Sequence, residues 1–310
     1  MLVRTMKDSD LDQVRNVGQK AWSDVASTEL GRKVKYPFRP RKIIRGYLWK
    51  EPKGCLVIEE AGEVIASAHC HVWGRVGWFG PFEVLPEMQG RGVGKALLCG
   101  CEEYLIRAGC VHIGLETMPY IMKNVHFYLR AGYRPQEFTC IMKKDIIRIQ
   151  ESPNGVERVE EAGLREVLPE ISELCRSYNA DLDLSRDVEM AVREDLGALF
   201  VSHSGQKLAG FAVLHAFHPI EESDHSAVRL LLVNPDLSDK ADHFDRLILS
   251  VENHSYRLDR RRIFARFVVS PPLYENMLKR QYALEGSNMR MIRGPGYCER
   301  EGFIMAAWAG

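Results

Sequence analysis

Three glycines on alternate positions, Gly90, Gly92 and Gly94, stand in the stretch PFEVLPEMQGRGVGKALL (81–98), where an apolar run gives way to a helical pattern. At the start of a helix the backbone N–H groups lack intrahelical acceptors and the dipole is positive, so the position attracts phosphate. Residues without a Cβ let a diphosphate approach those amides, and Arg91 and Lys95 add positive charge beside them. Two other phosphate loops do not fit. The pattern G-x-x-x-x-G-K-[ST] fails because residue 89 is glutamine and Lys95 is followed by Ala96, and G-x-G-x-x-G fails because the third glycine comes one residue early. The eight cysteines show no C-x-x-C and no pairing with histidine, which points to buried free thiols and to no metal site.

Periodicity and turn residues give the elements that position this loop. A short strand, LVRTM, feeds a helix capped by Asp8 or Ser9, with Leu11, Val14, Val17 and Trp22 at near-helical spacing. CLVIEE and EVIASAHCHVW form a hairpin through Ala61-Gly62, and VGWFGPFEVL adds a third antiparallel strand. A helix from near Gln89 to about Ala108, the strand VHIGLET, a helix from about Asn124 to Arg130 ending at Gly132, and the closing strand RPQEFTCIMKKD complete the order β-α-β-β-β-α-β-α-β.

A chain of 310 residues suggests two domains. The turn Pro153-Asn154-Gly155 marks the boundary region, and the second half of the chain repeats the first. ALFVSHSGQKLAGFAVLHAF (198–217) reads as the same hairpin, and LLVNPDLSDKADHFDRLI aligns without a gap on FEVLPEMQGRGVGKALL at an offset of 149 residues. The same offset sets KRQY (279–282) on RAGY (130–133), which makes an internal duplication. In the second copy Gly90, Gly92 and Gly94 become Asp239, Ala241 and His243, and Tyr128 becomes Met277, so the fold is kept and the anion site is lost.

The run Val84-x-Pro86-x-x-Gln89-Gly90-Arg91-Gly92-Val93-Gly94-Lys95 resembles the acetyl-CoA motif Q/R-x-x-G-x-G/A of the GNAT superfamily of N-acetyltransferases, and FYLRAGY (127–133) resembles its later tyrosine motif. The resemblance implies an α+β fold: two tandem GNAT-like acyl-CoA N-acyltransferase domains, each a mixed, mostly antiparallel sheet flanked by helices. Residues 1–148 would be the catalytic domain and 149–310 a degenerate one. It further implies a diphosphate on the amides of Gln89, Gly90, Arg91, Gly92, Val93, Gly94 and Lys95, and pantetheine paired with the backbone of Phe82 to Val84. Asn124 takes the place of an asparagine that the family often carries where this chain has Ile121.

The reaction so implied is direct attack of a primary amine of a small-molecule or peptide acceptor on acetyl-CoA, with no metal. It needs a base, an oxyanion donor and an acid for the departing thiolate. Tyr128 is the candidate acid, since a phenol near pKa 10 is matched to a thiol near 8.5. Glu116, twelve residues before it, and Glu83, on the strand beside the cofactor, are the candidate bases; His69 and His71 share one strand face and offer a relay through water. The segment from Gly31 to Lys53 holds nine Lys or Arg against Glu51 alone and reads as a wall of the acceptor pocket, a contact to the cofactor's 3′-phosphate, or a solvated face. Tandem family members such as mycothiol synthase-like and Eis-like proteins suggest small amines as acceptors: amino sugars, polyamines or amino-acid derivatives.

The net formal charge of zero argues against a general nucleic-acid binder. With no apolar run long enough to span a membrane and no apolar signal core, the cytoplasm is the expected location. A protein of another class, which binds acetyl-CoA as a sensor without turnover, satisfies the same loop.

Overall fold

The computed structural model describes residues 2–216 and 225–308; the last residue of the expected second hairpin, Phe217, lies outside them. The first copy runs β1 (Val3–Thr5), α1 (Leu11–Leu30), α2 (Arg41–Lys50), β2 (Cys55–Glu60), β3 (Glu63–Trp73), β4 (Val76–Val84), α3 (Val93–Arg107), β5 (His112–Thr117), α4 (Met122–Arg130) and β6 (Arg134–Asp145). The second runs β7 (Val156–Val159), α5 (Leu164–Tyr178), α6 (Ser185–Arg193), β8 (Gly197–Ser204), β9 (Lys207–His215), β10 (His225–Val233), α7 (Lys240–Arg257), β11 (Arg262–Val268), α8 (Pro271–Lys279), β12 (Ala283–Arg293) and β13 (Ile304–Met305). The 149-residue offset carries β4 onto β10 and α4 onto α8, end for end.

Two local readings are corrected. Asp10, rather than Asp8 or Ser9, secures the entry to α1: its carboxylate accepts the Lys7 N–H at 2.8 Å and pairs with Arg4 at 2.6 Å. The basic segment contains α2, whose Ile43, Ile44 and Tyr47 are buried while most of its charges lie outside.

All strands belong to one sheet, in the order β1-β2-β3-β4-β5-β12-β6-β11-β10-β9-β8-β7. The closing strand of each copy is therefore exchanged. β6 does not pair with β5; it runs antiparallel to β11 of the second copy, and β12 of the second copy runs antiparallel to β5 of the first. β6 and β12 meet at the centre.

At that centre Arg290 on β12 has no exposed surface and is ringed by carboxylates. Glu299 lies at 3.1 Å, Glu137 at 3.4 Å and Glu116 at 3.7 Å, the last two projecting from strands on either side of β12. The Trp308 ring lies 4.2 Å from the guanidinium, which also donates to the Ala306 carbonyl at 3.1 Å. Removing one partner of a buried ion pair leaves its counter-charges uncompensated. Arg290→Ala should therefore lower unfolding free energy by about 3–5 kcal/mol, read from urea denaturation monitored by tryptophan fluorescence; a loss under about 1 kcal/mol would show that the carboxylates find other partners.

Candidate active site

β4 and β5 are paired in parallel only from Val76–Trp78 to His112–Gly114 and then part. Beyond Trp78, β4 keeps β3 on one side, through Phe82, Glu83 and Val84, and presents an unpaired backbone edge on the other. Such an edge can accept an extended ligand as an added strand. The chain then makes one turn of 3-10 helix at Pro86–Met88, and α3 begins at Val93, four residues later than the sequence suggests. The reason is conformational: Gly90 and Gly92 have φ of 75° and 84°, a region that L side chains avoid. A Cβ at either position would meet nothing within 4 Å, so both face open space, whereas Gly94 lies within α3 and a Cβ there would make ordinary contact with Phe127 at 3.5 Å. Gly90 and Gly92 are thus required by backbone shape, and Gly94 is not.

Gln89 donates to the Val84 carbonyl at 3.2 Å and accepts from Lys123 Nζ at 2.5 Å, which brings a third cation, unforeseen from the sequence, to a loop already carrying Arg91 and Lys95. Open positive-φ glycines, the start of a 15-residue helix, three cations and a free strand edge fit a diphosphate with a strand-like tail. Asn124 stands in the first turn of α4, its N–H bonded to the Ile121 carbonyl, with no side-chain contact that decides a role.

Tyr128 projects from α4 into a cluster of aromatic rings: Phe127, Tyr133, Phe79 and Phe82, at centroid distances of 5.1 to 6.3 Å. Its hydroxyl has no hydrogen-bond partner among the described residues. Burial, with the nearby Cys101 thiol, raises its pKa above the ordinary value, so the phenol keeps its proton through neutral pH.

Glu83 follows Phe82 and therefore points to the opposite face of the sheet from the Tyr128 cluster. Its carboxylate is 3% exposed, accepts Trp22 Nε1–H at 2.9 Å and pairs with Arg39 at 2.9 Å. Gly18 of α1 makes room for it, because a Cβ there would lie 2.9 Å from Glu83 Oε2. Gly18, Trp22 and Arg39 also line a cavity of about 280 Å³, together with Tyr36, Pro37, Ile43 and Tyr47 and, from the second copy, His225, Ala227, Phe264 and Arg266. Five residues of the basic segment, Tyr36, Pro37, Arg39, Ile43 and Tyr47, line this cavity, and several of the segment's charges are already paired: Arg39 with Glu83, Arg41 with Asp12, Lys42 with Asp195 and Lys50 with Asp187.

Glu116 is placed elsewhere, which corrects its reading as a base. Its side chain has no exposed surface; Oε1 accepts the Trp308 N–H at 2.8 Å and lies 3.7 Å from Arg290. It serves the seam between the copies.

The histidines are also reassigned. His71 accepts from Lys50 Nζ at 2.9 Å through Nδ1 and donates from Nε2 to the Gly80 carbonyl at 2.7 Å, with its ring stacked on Trp78 at 3.9 Å. Lys50 continues to Asp187 of α6 at 2.6 Å, and Trp73 Nε1–H donates to the same oxygen at 2.7 Å. Burial pushes the Asp187 carboxyl up, but Lys50 and Arg229 outweigh it and hold the group ionised. Burial, then the charge of Lys50, drives the His71 pKa well below its ordinary value; burial takes His69, and His215 of the second copy, down to about 3. These rings are neutral fixtures that link the copies or fill the core, not proton relays.

The corresponding cleft of the second copy is closed by the chain itself. β10 and β11 pair only from His225–Val228 to Arg262–Ala265, and β13 then takes the vacated edge, setting Met305 against Leu231 and Ile304 against Leu232, the counterparts of Phe82 and Glu83. At the counterpart loop, α7 starts at Lys240, and the His243 ring is buried between Ser202 at 3.2 Å and the Asp239 carboxylate at 3.5 Å. Met277 is fully buried where the first copy has Tyr128.

A parted β4/β5 pair, a loop shaped by positive-φ glycines at the head of α3 and a tyrosine on the following helix are the features that the resemblance leads one to expect. Residues 20–133, the greater part of the first copy, match the model of the acetyltransferase (GNAT) family. An acetyltransferase of Sodalis glossinidius is 26% identical over 156 residues, 49% of this chain and 99% of the relative. Among solved structures, a candidate acetyltransferase of Pyrococcus horikoshii has a TM-score of 0.72 at 15% identity, covering 99% of this chain and 94% of its own. A tandem GNAT protein from the clavulanic acid biosynthesis pathway has a TM-score of 0.59 at 14% identity, covering 96% and 99%. At such identities the likeness is one of fold, and it extends over both copies. No helix among the described residues is long and apolar enough to cross a membrane.

Two measurements check this site. Gly92→Asp, which forces a side chain and a negative charge onto φ 84°, should weaken acetyl-CoA binding at least about tenfold in isothermal titration, while Gly92→Asn, which tolerates the left-handed region, should retain most of it. Equal affinities for the two variants would deny the loop an electrostatic role. His69, His71 and His215 stay neutral when folded but take a proton near pH 6.5 when unfolded, so stability is complete above that pH and falls as the pH drops toward the folded values. Each should contribute a slope of about 1.4 kcal/mol per pH unit between pH 6.5 and 5 in urea denaturation, and His69→Gln should remove one share.

Proposed function

We propose that the protein is an acetyl-CoA-dependent N-acetyltransferase acting on a primary amine, with its active site in the first copy. The observation that carries the reading is the parted β4/β5 pair with Tyr128 on one face and Glu83, beside a small pocket, on the other. Bound acetyl-CoA would supply an activated thioester. Gln89 to Lys95, with Lys123, would hold its diphosphate, and the free edge of Phe82 to Val84 its pantetheine arm.

The acceptor amine enters the pocket between α1, α2 and the second copy. Glu83 is the base that takes a proton from its ammonium, directly or through one water; Arg39 and Trp22 fix the carboxylate in place. Unpaired N–H groups on the β5-facing edge of β4 are the donors available to a developing oxyanion. Tyr128, kept protonated by burial, donates to the departing sulfur. The small size of the pocket favours a small molecule over a folded protein as acceptor, and the internal pairing of its basic residues disfavours nucleic acid.

Tyr128→Phe and Glu83→Gln should each bind acetyl-CoA as the wild type does and lose roughly 10²–10⁴-fold in kcat, measured by release of free CoA thiol in an amine screen. Wild type that binds acetyl-CoA but acetylates no amine would make the protein an acetyl-CoA-binding module instead.

A further inference from the structure

The far wall of the pocket belongs to the copy that has lost its own site. His225 and Ala227 come from β10, and Phe264 and Arg266 from β11. The Arg39–Glu83 pair is neutral as a unit, but Arg266 forms no hydrogen bond or ion pair among the described residues, and its Nε is buried without a partner. The carboxylate nearest in effect, Glu116, is held by Arg290 and the Trp308 N–H. Burial lowers the Arg266 pKa, with Arg229 adding repulsion, yet a guanidinium does not discharge at neutral pH. A partly buried guanidinium without a counter-charge among the described residues is compensated when an anion binds. Tyr36 lines the same cavity as Arg39 and Arg266. Between them the walls are aromatic: Trp22 stacks on Tyr36 at 5.6 Å, and Tyr47 and Phe264 line the same space.

Building on the acetyltransferase reading above, we propose that Arg266 receives a carboxylate of the acceptor, so that the substrate is a small amino acid-like molecule: an amine at Glu83, one carboxylate at Arg266, and an aromatic or apolar body between. One cation unpaired among the described residues matches one negative charge, which favours a carboxylate over a phosphate dianion, and the planar guanidinium can bind a carboxylate through two parallel hydrogen bonds. The degenerate copy thereby acts as the specificity wall of the competent one.

The test separates binding from turnover. Isothermal titration of 3-phenylpropanoate, 3-phenylpropanamide and phenyl phosphate into the wild-type protein should show the carboxylate favoured over the amide by about 10- to 100-fold. Arg266→Met should abolish that preference, bind acetyl-CoA unchanged and melt no lower than wild type, since it removes an unpaired charge. In acetyl transfer, phenylalanine should surpass phenethylamine in kcat/KM with the wild type and lose that advantage in Arg266→Met. Equal binding of acid and amide, no binding of any probe, a preference that survives Arg266→Met, or a clear preference for phenyl phosphate would each overturn the proposal. If carboxylate binding depends on Arg266 but no amine is acetylated, the acetyltransferase reading falls and the carboxylate site stands.

Discussion

The exchange of closing strands is the constraint on which the rest of the molecule depends. With β12 lying between β5 and β6, neither copy has a complete sheet of its own, and the hydrogen-bond ladder runs unbroken from one edge strand to the other. That ladder fixes β10 and β11 of the second copy where their side chains can close a pocket whose other walls are α1, α2 and the loop before α2. β5 stays paired with β12 on its other edge as far as Thr117, while β4 leaves it after Trp78. The chamber between the copies is thus a consequence of how they share strands.

Charge is concentrated along this shared seam. Arg290 among Glu116, Glu137 and Glu299, Lys50 on Asp187, and Arg293 on Glu102 at 2.5 Å all join groups from different copies, apart from the Glu299 contact. Buried ion pairs add little net stability over apolar packing, but a misregistered pair is expensive. Their placement at a pseudo-symmetric junction, where two related strands compete for the same neighbours, suits a role in specifying register and partner.

Much of the fold was legible in the sequence because strand and helix lengths come from hydrophobic period and turn residues, and the gapless offset between copies survives in the structure over β4 and α4. The exchange was not legible. β6 and β12 are equivalent strands, and either pattern satisfies either neighbour, so only three-dimensional packing decides between them. For the same reason the two candidate carboxylates could not be ranked. Glu83 draws its partners Trp22 and Arg39 from far along the chain, and Glu116 draws Arg290 and Trp308 from the other copy. The loop glycines were recognised, but for close approach; the backbone shows that φ dictates two of them. α2 could have been found from Ile43, Ile44 and Tyr47 had the density of basic residues around them not dominated the reading.

The lodging of β13 in the second cleft has a consequence for how this copy has been able to change. An open strand edge demands either a ligand or a cap, and a copy whose edge is covered by its own chain is held, in effect, in a permanently liganded state. Asp239, His243 and Met277 stand at the positions of the loop glycines and the tyrosine, and His243 and Met277 are buried there. What began as a second workshop has become masonry, and the few residues of β13 are what keep its doorway from acting as a template for stray strands.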